Sequence, residues 1–414
     1  MRVRTEVYLA SMFLIFAVCF SKIALSHLVF AKTPAPHETG SIGRPVSGDP
    51  TGVHDPKPTG AWVTPPDPGK RPVVQVAILL DTSSSMEGLI DQARTQLWRI
   101  VNEFGRAERR GLKPQIEVAL YEYGKQSLPA GQGFLRQIAP FTTDLDGISE
   151  ALFALRTNGG EEYCGWVLRD ATRGLTWRDR REGDLHIVFI AGNEPFSQGP
   201  IDYRSVCRDA AEKGIVVNTV FCGSSSEGLA TGWANGAALG GGEFLAIDQD
   251  QKQVYVPTPQ DDEIRGLSDK LNQTCLPYGG GGARGYARMQ AQDCAVSGAS
   301  AEAGMQRAAA KANSAVYSNG AWDLCDAVKD GKKLESMPAE ELPAAVRAIP
   351  AAQRQAYVDA KVREREQIQQ RIRTLNAERD RYLATHASKG DASLQSAVLR
   401  VVHTEGAAKG YTFK

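Results

Sequence analysis

The chain has 414 residues, room for two modest domains and a targeting segment. Its 48 Lys and Arg are matched by 48 Asp and Glu, so total charge argues against nucleic acid or an anionic surface as partner. Apolar residues make up 42%, the ordinary share of a soluble protein that can bury a core.

Arg2 and Arg4 precede an apolar run from Tyr8 to Phe20, and a weaker stretch ends at Val29-Phe30-Ala31. Positive, then apolar, then small is the order of a secretory leader, here residues 1–31; an uncleaved membrane anchor is the other reading. An exported protein is expected, and the membrane is a partner only if this segment is retained. Removing the leader leaves Cys164, Cys207, Cys222, Cys275, Cys294 and Cys325. An even number in an exported chain permits disulfides, and small buried apolar residues are the alternative. No two are spaced Cys-x-x-Cys, so zinc is not predicted. Residues 32–71, rich in Pro, Gly, Thr and His, read as a tether that cannot bury enough surface to fold.

From Val73 the pattern alternates. Val73 to Leu80 is almost wholly apolar, as a strand covered on both faces should be. Leu89, Ala93, Leu97, Ile100 and Phe104 share one helical face. Strands follow at Ile116–Tyr121 and Phe134–Ile138, then helices around Ile148 and Leu168. A buried strand spans His186–Ile190, a short helix surrounds Val206, and further strands span Ile215–Phe221 and Phe244–Ile247. Strands separated by helices predict an α/β fold, a mostly parallel Rossmann-like sheet with helices on both faces, over residues 72–278. Ligands of such sheets sit beyond the carboxyl ends of the strands. Gly223–Gly228 reads as a flexible loop there. Thr143 and Asp144 stand where a helix cap is expected.

Gly279–Gly285 lacks the ending of a phosphate loop, so residues 279–286 read as a linker. Residues 287–414 then predict a smaller all-α region. Val358, Val362, Arg365, Ile368, Ile372, Leu375 and Arg379 repeat at three and four, giving one long helix with an apolar seam. The seam serves packing within the chain; self-association through it is the alternative.

The strand ending at Leu80 runs into Asp81-Thr82-Ser83-Ser84-Ser85. A tight loop can turn the Asp81 carboxylate and the Ser83 and Ser85 hydroxyls toward one point, an oxygen set suited to a hard cation. Capping of the next helix is the simpler explanation of the same residues. Val76 to Met86 resembles the first strand and metal loop of von Willebrand factor type A domains, a likeness extending over roughly residues 73–248. The resemblance implies a metal-ion-dependent adhesion site built from three loops and facing a protein partner. It gives Asp81, Ser83 and Ser85 the first-loop role, with Mg²⁺ the expected ion and Mn²⁺ or Ca²⁺ also suitable.

The other two loops depart from that pattern. Where the family has Gly-Gly-Thr, this chain has Gly159-Gly160-Glu161. Where it has Thr-Asp-Gly, this chain has Ala191-Gly192-Asn193-Glu194. Glu161 is expected to replace the negative charge lost at Gly192, with Glu162, Asn193 and Glu194 as further candidates. A dead site is the competing expectation. Phe189 to Gly199, with Trp322-Asp323-Leu324, also resembles a bacterial secreted subgroup that pairs an A domain with a helical C-terminal region, which implies a periplasmic or envelope location. No His–carboxylate–nucleophile set, His-Glu-x-x-His or nucleotide loop occurs, so no enzyme is expected. A protein-binding module is the leading expectation. A metal-free envelope scaffold and a metal-assisted hydrolase are the alternatives.

Overall fold

The computed structural model describes residues 62–65, 67–250, 255–386 and 394–413. The expected leader and the tether as far as residue 61 lie outside the described residues. Among the described residues no helix is long and apolar enough to cross a membrane.

Strand β1 (Val73–Asp81) leads through the serine loop into helix α1 (Glu87–Arg106). After a two-residue strand, β2 (Ala107–Glu108), come β3 (Gln115–Tyr123) and β4 (Leu135–Thr142). Helices α2 (Leu145–Ala154) and α3 (Cys164–Gly174) precede β5 (Leu185–Gly192). Helix α4 (Tyr203–Glu212), β6 (Val216–Cys222), helices α5 (Ser225–Ala230) and α6 (Trp233–Leu239), and β7 (Gly241–Ile247) complete the α/β part. The sheet order is β4-β3-β1-β5-β6-β7, parallel throughout except for the antiparallel edge strand β4. This is the Rossmann-like architecture expected. Gly223–Gly228 departs from expectation: it enters helix α5, capped where Ser224 Oγ accepts from Glu227 N. Asp144 caps α2 as expected, accepting from Gly147 N.

Strand residues alternate between two apolar layers. Val74, Val76 and Leu80 of β1 face Leu89, Leu97 and Val101 of α1. Ala77 and Leu79 face Val167 and Leu168 of α3 and Val206 of α4. With both faces covered, β3 is buried along its whole length, its polar residues included.

Helix α7 (Asp261–Gln273) opens the helical region, followed by α8 (Gly282–Ala299), α9 (Ala301–Lys311), α10 (Leu324–Lys329) and the short α11 (Ala344–Arg347). The long α12 (Ala351–His386), α13 (Leu394–Ala408) and β8 (Thr412–Phe413) end it. The expected glycine linker is corrected here. Gly282 already lies in α8, and Gly285 packs on Trp322 where no Cβ would fit. The described residues from Trp62 onward form one compact unit, so the helical region packs directly on the α/β part. Arg307 of α9 lies over the Trp98 ring at 4.4 Å and donates to Asp146 of α2 at 2.7 Å. Val398, Val401 and Val402 of α13 join the layer that α1 forms on the sheet. The tether also ends earlier than expected, since Thr142 Oγ1 donates to Val63 O and Trp62 joins the same layer.

The seam of α12 packs within the chain, so it is not left over for self-association. Val358, Ile372 and Leu375 are buried, and so are Arg365 and Arg379. Arg365 pairs with Asp323 and Asp326, and Arg379 pairs with Asp261 and Glu302. Cys164, Cys207, Cys222 and Cys325 are buried thiols outside any disulfide, which matches the apolar reading of those four.

Candidate functional site

Parallel strands β1 and β5 end side by side, with Tyr123 of β3 opposite Asp81. Asp81 is completely buried. Its Oδ1 accepts from Ser83 N at 2.7 Å, closing a tight turn that directs the following hydroxyls back toward the carboxylate. The Ser83 and Ser85 hydroxyl oxygens stand 3.2 Å apart. Asp81 Oδ2 is buried and has no hydrogen-bond partner. The serine loop is pinned from outside, as Thr82 N donates to Tyr123 O and Asn158 N donates to Thr82 O.

The second loop brings Glu162 to this point, not Glu161. Gly124 has φ +80°, and a Cβ there would meet Asp81 Oδ1 at 2.7 Å and Glu162 Cγ at 2.8 Å. Only glycine fits between the two carboxylates with that backbone. Gly160 in turn lies flat on Gly124, its missing Cβ 2.5 Å from the Gly124 carbonyl oxygen. Gln198 clamps the next two residues: its Oε1 accepts from Glu162 N and its Nε2 donates to Glu161 Oε2. Glu162 is thereby buried beside Asp81, and Glu161 points to solvent. Glu162, a further candidate in the sequence, is thus the second-loop carboxylate packed at Asp81, and the exposed Glu161 stays a candidate at the rim.

The third loop is held by aromatic packing. Phe196 is buried between Tyr203 and Trp233, with ring centroids 4.9 Å and 4.7 Å away, and Trp233 Nε1 donates to Glu194 O. Asn193 consequently reaches the serines, its Nδ2 donating to Ser85 Oγ at 3.2 Å. Glu194 is exposed on the rim. Gly192 passes directly over Asp81: a Cβ there would sit 3.1 Å from Asp81 Oδ2 and 2.6 Å from the Tyr123 hydroxyl. That hydroxyl donates to Ala191 O, so Tyr123 fills the space a carboxylate at position 192 would need.

Burial pushes the Asp81 carboxyl up to about 8, against the Ser83 backbone hydrogen bond, which lowers it; Glu162 and Glu194 raise it further. Glu162 is pushed up to about 7 by burial and by Glu194, with a Ser83 hydrogen bond opposing. These acids crowd a buried, unpartnered oxygen, as expected where a cation supplies the missing charge. Oxygens adjacent on a Mg²⁺ octahedron lie about 2.9 Å apart, and at Ca²⁺ distances about 3.3–3.7 Å apart. The serine pair at 3.2 Å falls between these values. Among the described residues no three His, Cys, Asp or Glu side chains gather closely enough to hold an ion by themselves. An ion here therefore depends on the hydroxyls and on water. The residues fit a hard divalent cation on those terms.

A fourth element, not anticipated, borders the site. Gln249, beyond β7, donates from Nε2 to Ser85 O at 2.9 Å, leaving its Oε1 buried and unpartnered. Its position after the last core strand is the only sequence signal that points to it. Glu162 and Gly124 follow from the glycine geometry, which spacing alone does not reveal.

No protein-family profile and no curated protein sequence matches the chain. Solved structures do. Proximal thread matrix protein 1 from the mussel byssus is 15% identical over 43% of this chain and 42% of its own, with a TM-score of 0.32. The SpRpn10 VWA domain is 16% identical over 49% and 95%, with a TM-score of 0.32. The pilus adhesin SpaC from Lactobacillus rhamnosus GG is 13% identical over 44% and 28%, with a TM-score of 0.33. The chain thus spans less than half of the mussel protein and of the adhesin. The fold assignment rests on the strand order itself.

Proposed function

We propose that this chain is a non-enzymatic, exported binding module that docks a protein at the carboxyl edge of its sheet, with a divalent cation, Mg²⁺ first, ordering the loops. The observation that carries the reading is Asp81 Oδ2, buried and unpartnered beside the paired Ser83 and Ser85 hydroxyls. Asp81, Ser83 and Ser85 would hold the ion, Glu162 would act on it through Ser83, and Asn193 would fix Ser85. Bound there, the ion would supply charge to a site that otherwise holds only acids and hydroxyls. Export is inferred from the leader-like residues 1–31, and the helical region is read as a brace for the sheet.

Thermal unfolding of the chain in EDTA, and then in Mg²⁺, Mn²⁺ or Ca²⁺, tests this against Asp81→Ala. An ion that binds only the folded state stabilises it by about 2.7 kcal/mol at a hundred times its dissociation constant. The parent should shift and the variant should not. If no ion moves the parent, the cation falls and the chain is a metal-free scaffold.

A further inference from the structure

We propose that the partner presents a basic group, a Lys or Arg side chain of a protein segment, to this edge of the sheet. The inference rests on the cation reading above and specifies what meets it. An acidic ligand is drawn to a site where the ion's charge is left over. Here it is not. Asp81 and Glu162 stand on either side of Gly124, both touching the place its Cβ would take, and Glu194 is exposed on the rim. Three carboxylates at this edge thus face an ion that would bring two positive charges. The rim adds to it: Glu161, Asp248 and Asp250 are exposed, and Asp250 lies against the first turn of α1, 3.0 Å from where a Cβ on Gly88 would be. Lys125, the nearby buried cation, is turned to Glu122.

Hydrogen-bonding capacity points the same way. Ser85 is gripped from both sides by amides that spend their donors inward, Asn193 Nδ2 on its hydroxyl and Gln249 Nε2 on its carbonyl. Their oxygens, Asn193 Oδ1 and Gln249 Oε1, are buried and unpartnered. Both are acceptors without a donor. A carboxylate brings only acceptors, whereas an ammonium or guanidinium brings only donors and positive charge. Asp81 Oδ2, also without a donor, is the atom the ion would satisfy. Asp81 Oδ2 thus calls for a cation, and the two amide oxygens call for a donor group.

The test uses the full chain with two fluorescent twelve-residue probes, one of alternating Lys and Gly, the other of alternating Glu and Gly, by anisotropy with and without Mg²⁺. The lysine probe should bind in Mg²⁺. Glu161→Gln/Glu194→Gln should weaken it about five- to tenfold, and raised salt should weaken it too. Glu340→Gln, an exposed acid in the helical region, should leave it unchanged. Mg²⁺-dependent binding of the glutamate probe would overturn the proposal. So would failure of both probes to bind, or equal loss with Glu340→Gln. Thermal unfolding of the same samples separates the two readings. If the lysine probe binds at the rim and no ion shifts the melting point, the cation reading fails and the basic partner stands.

Discussion

The Tyr123 hydroxyl occupies the space a side chain on Gly192 would enter, 2.6 Å from where the Cβ would be. The missing third-loop carboxylate is thus matched by a bulky neighbour, and the two positions behave as a pair. Gly192→Ala should destabilise the protein by about 1–3 kcal/mol through overpacking. Tyr123→Phe should cost about 1 kcal/mol, the net worth of its bond to Ala191 O. The double variant should be more stable than the sum of the two predicts, as read by denaturant unfolding. Simple additivity would mean the clash lies elsewhere.

Glu162 and Glu161 are adjacent in sequence and opposite in consequence. Glu162→Gln should lower Mg²⁺ affinity by about 10- to 100-fold, the usual effect of losing a group that supports a ligand. Glu161→Gln should leave it within experimental error, because that side chain faces solvent. Titration followed by intrinsic fluorescence measures both. The reverse order would restore the role that its place in the loop first suggested for Glu161.

Asp293 contributes to the acid limb of stability. Burial raises its carboxyl, but Lys311 and Arg307 outweigh that and bring it down to about 2. The folded value lies below the unfolded one, near 3.8, so the contribution is complete above about pH 4 and drains away as pH falls toward 2. A shift of this size is worth about 2 kcal/mol. Asp293→Asn should flatten unfolding free energy against pH in that window and lower stability at pH 7. An unchanged slope would place the acid sensitivity on other groups.

Arg379 is completely buried between Asp261 and Glu302. Arg379→Ala removes the buried cation these two carboxylates share and should cost about 3–5 kcal/mol. Arg379→Lys, which keeps the charge but not the fork, should fall between parent and alanine variant. A loss below about 1 kcal/mol for the alanine variant would show that water reaches the pair.

The sheet was legible because its strands and helices repeat at different periods, and Val73–Leu80 could hardly be anything but a strand covered on both faces. The first loop was legible because Asp81, Ser83 and Ser85 follow that strand directly. What escaped depends on through-space fit. Whether Glu161 or Glu162 turns inward is decided by Gly160 lying on Gly124, two loops far apart in the chain. Gln249 joins from a third. Arg365 and Arg379 could be placed on the buried seam by spacing, but their acidic partners could not, because Asp261 and Glu302 come from two other helices and Asp323 from the residue before a third.

The closing strand deserves its own consequence. Phe413 pairs with Ala107, and Arg109 Nε donates to Lys409 O across 300 residues of chain. Helix α13 covers α1 just before that join. The apolar layer over β6 and β7 is therefore closed by residues some 300 positions along the chain from α1. Contacts this distant in sequence form slowly. Docking of α13 onto α1 is thus a late step in forming that layer.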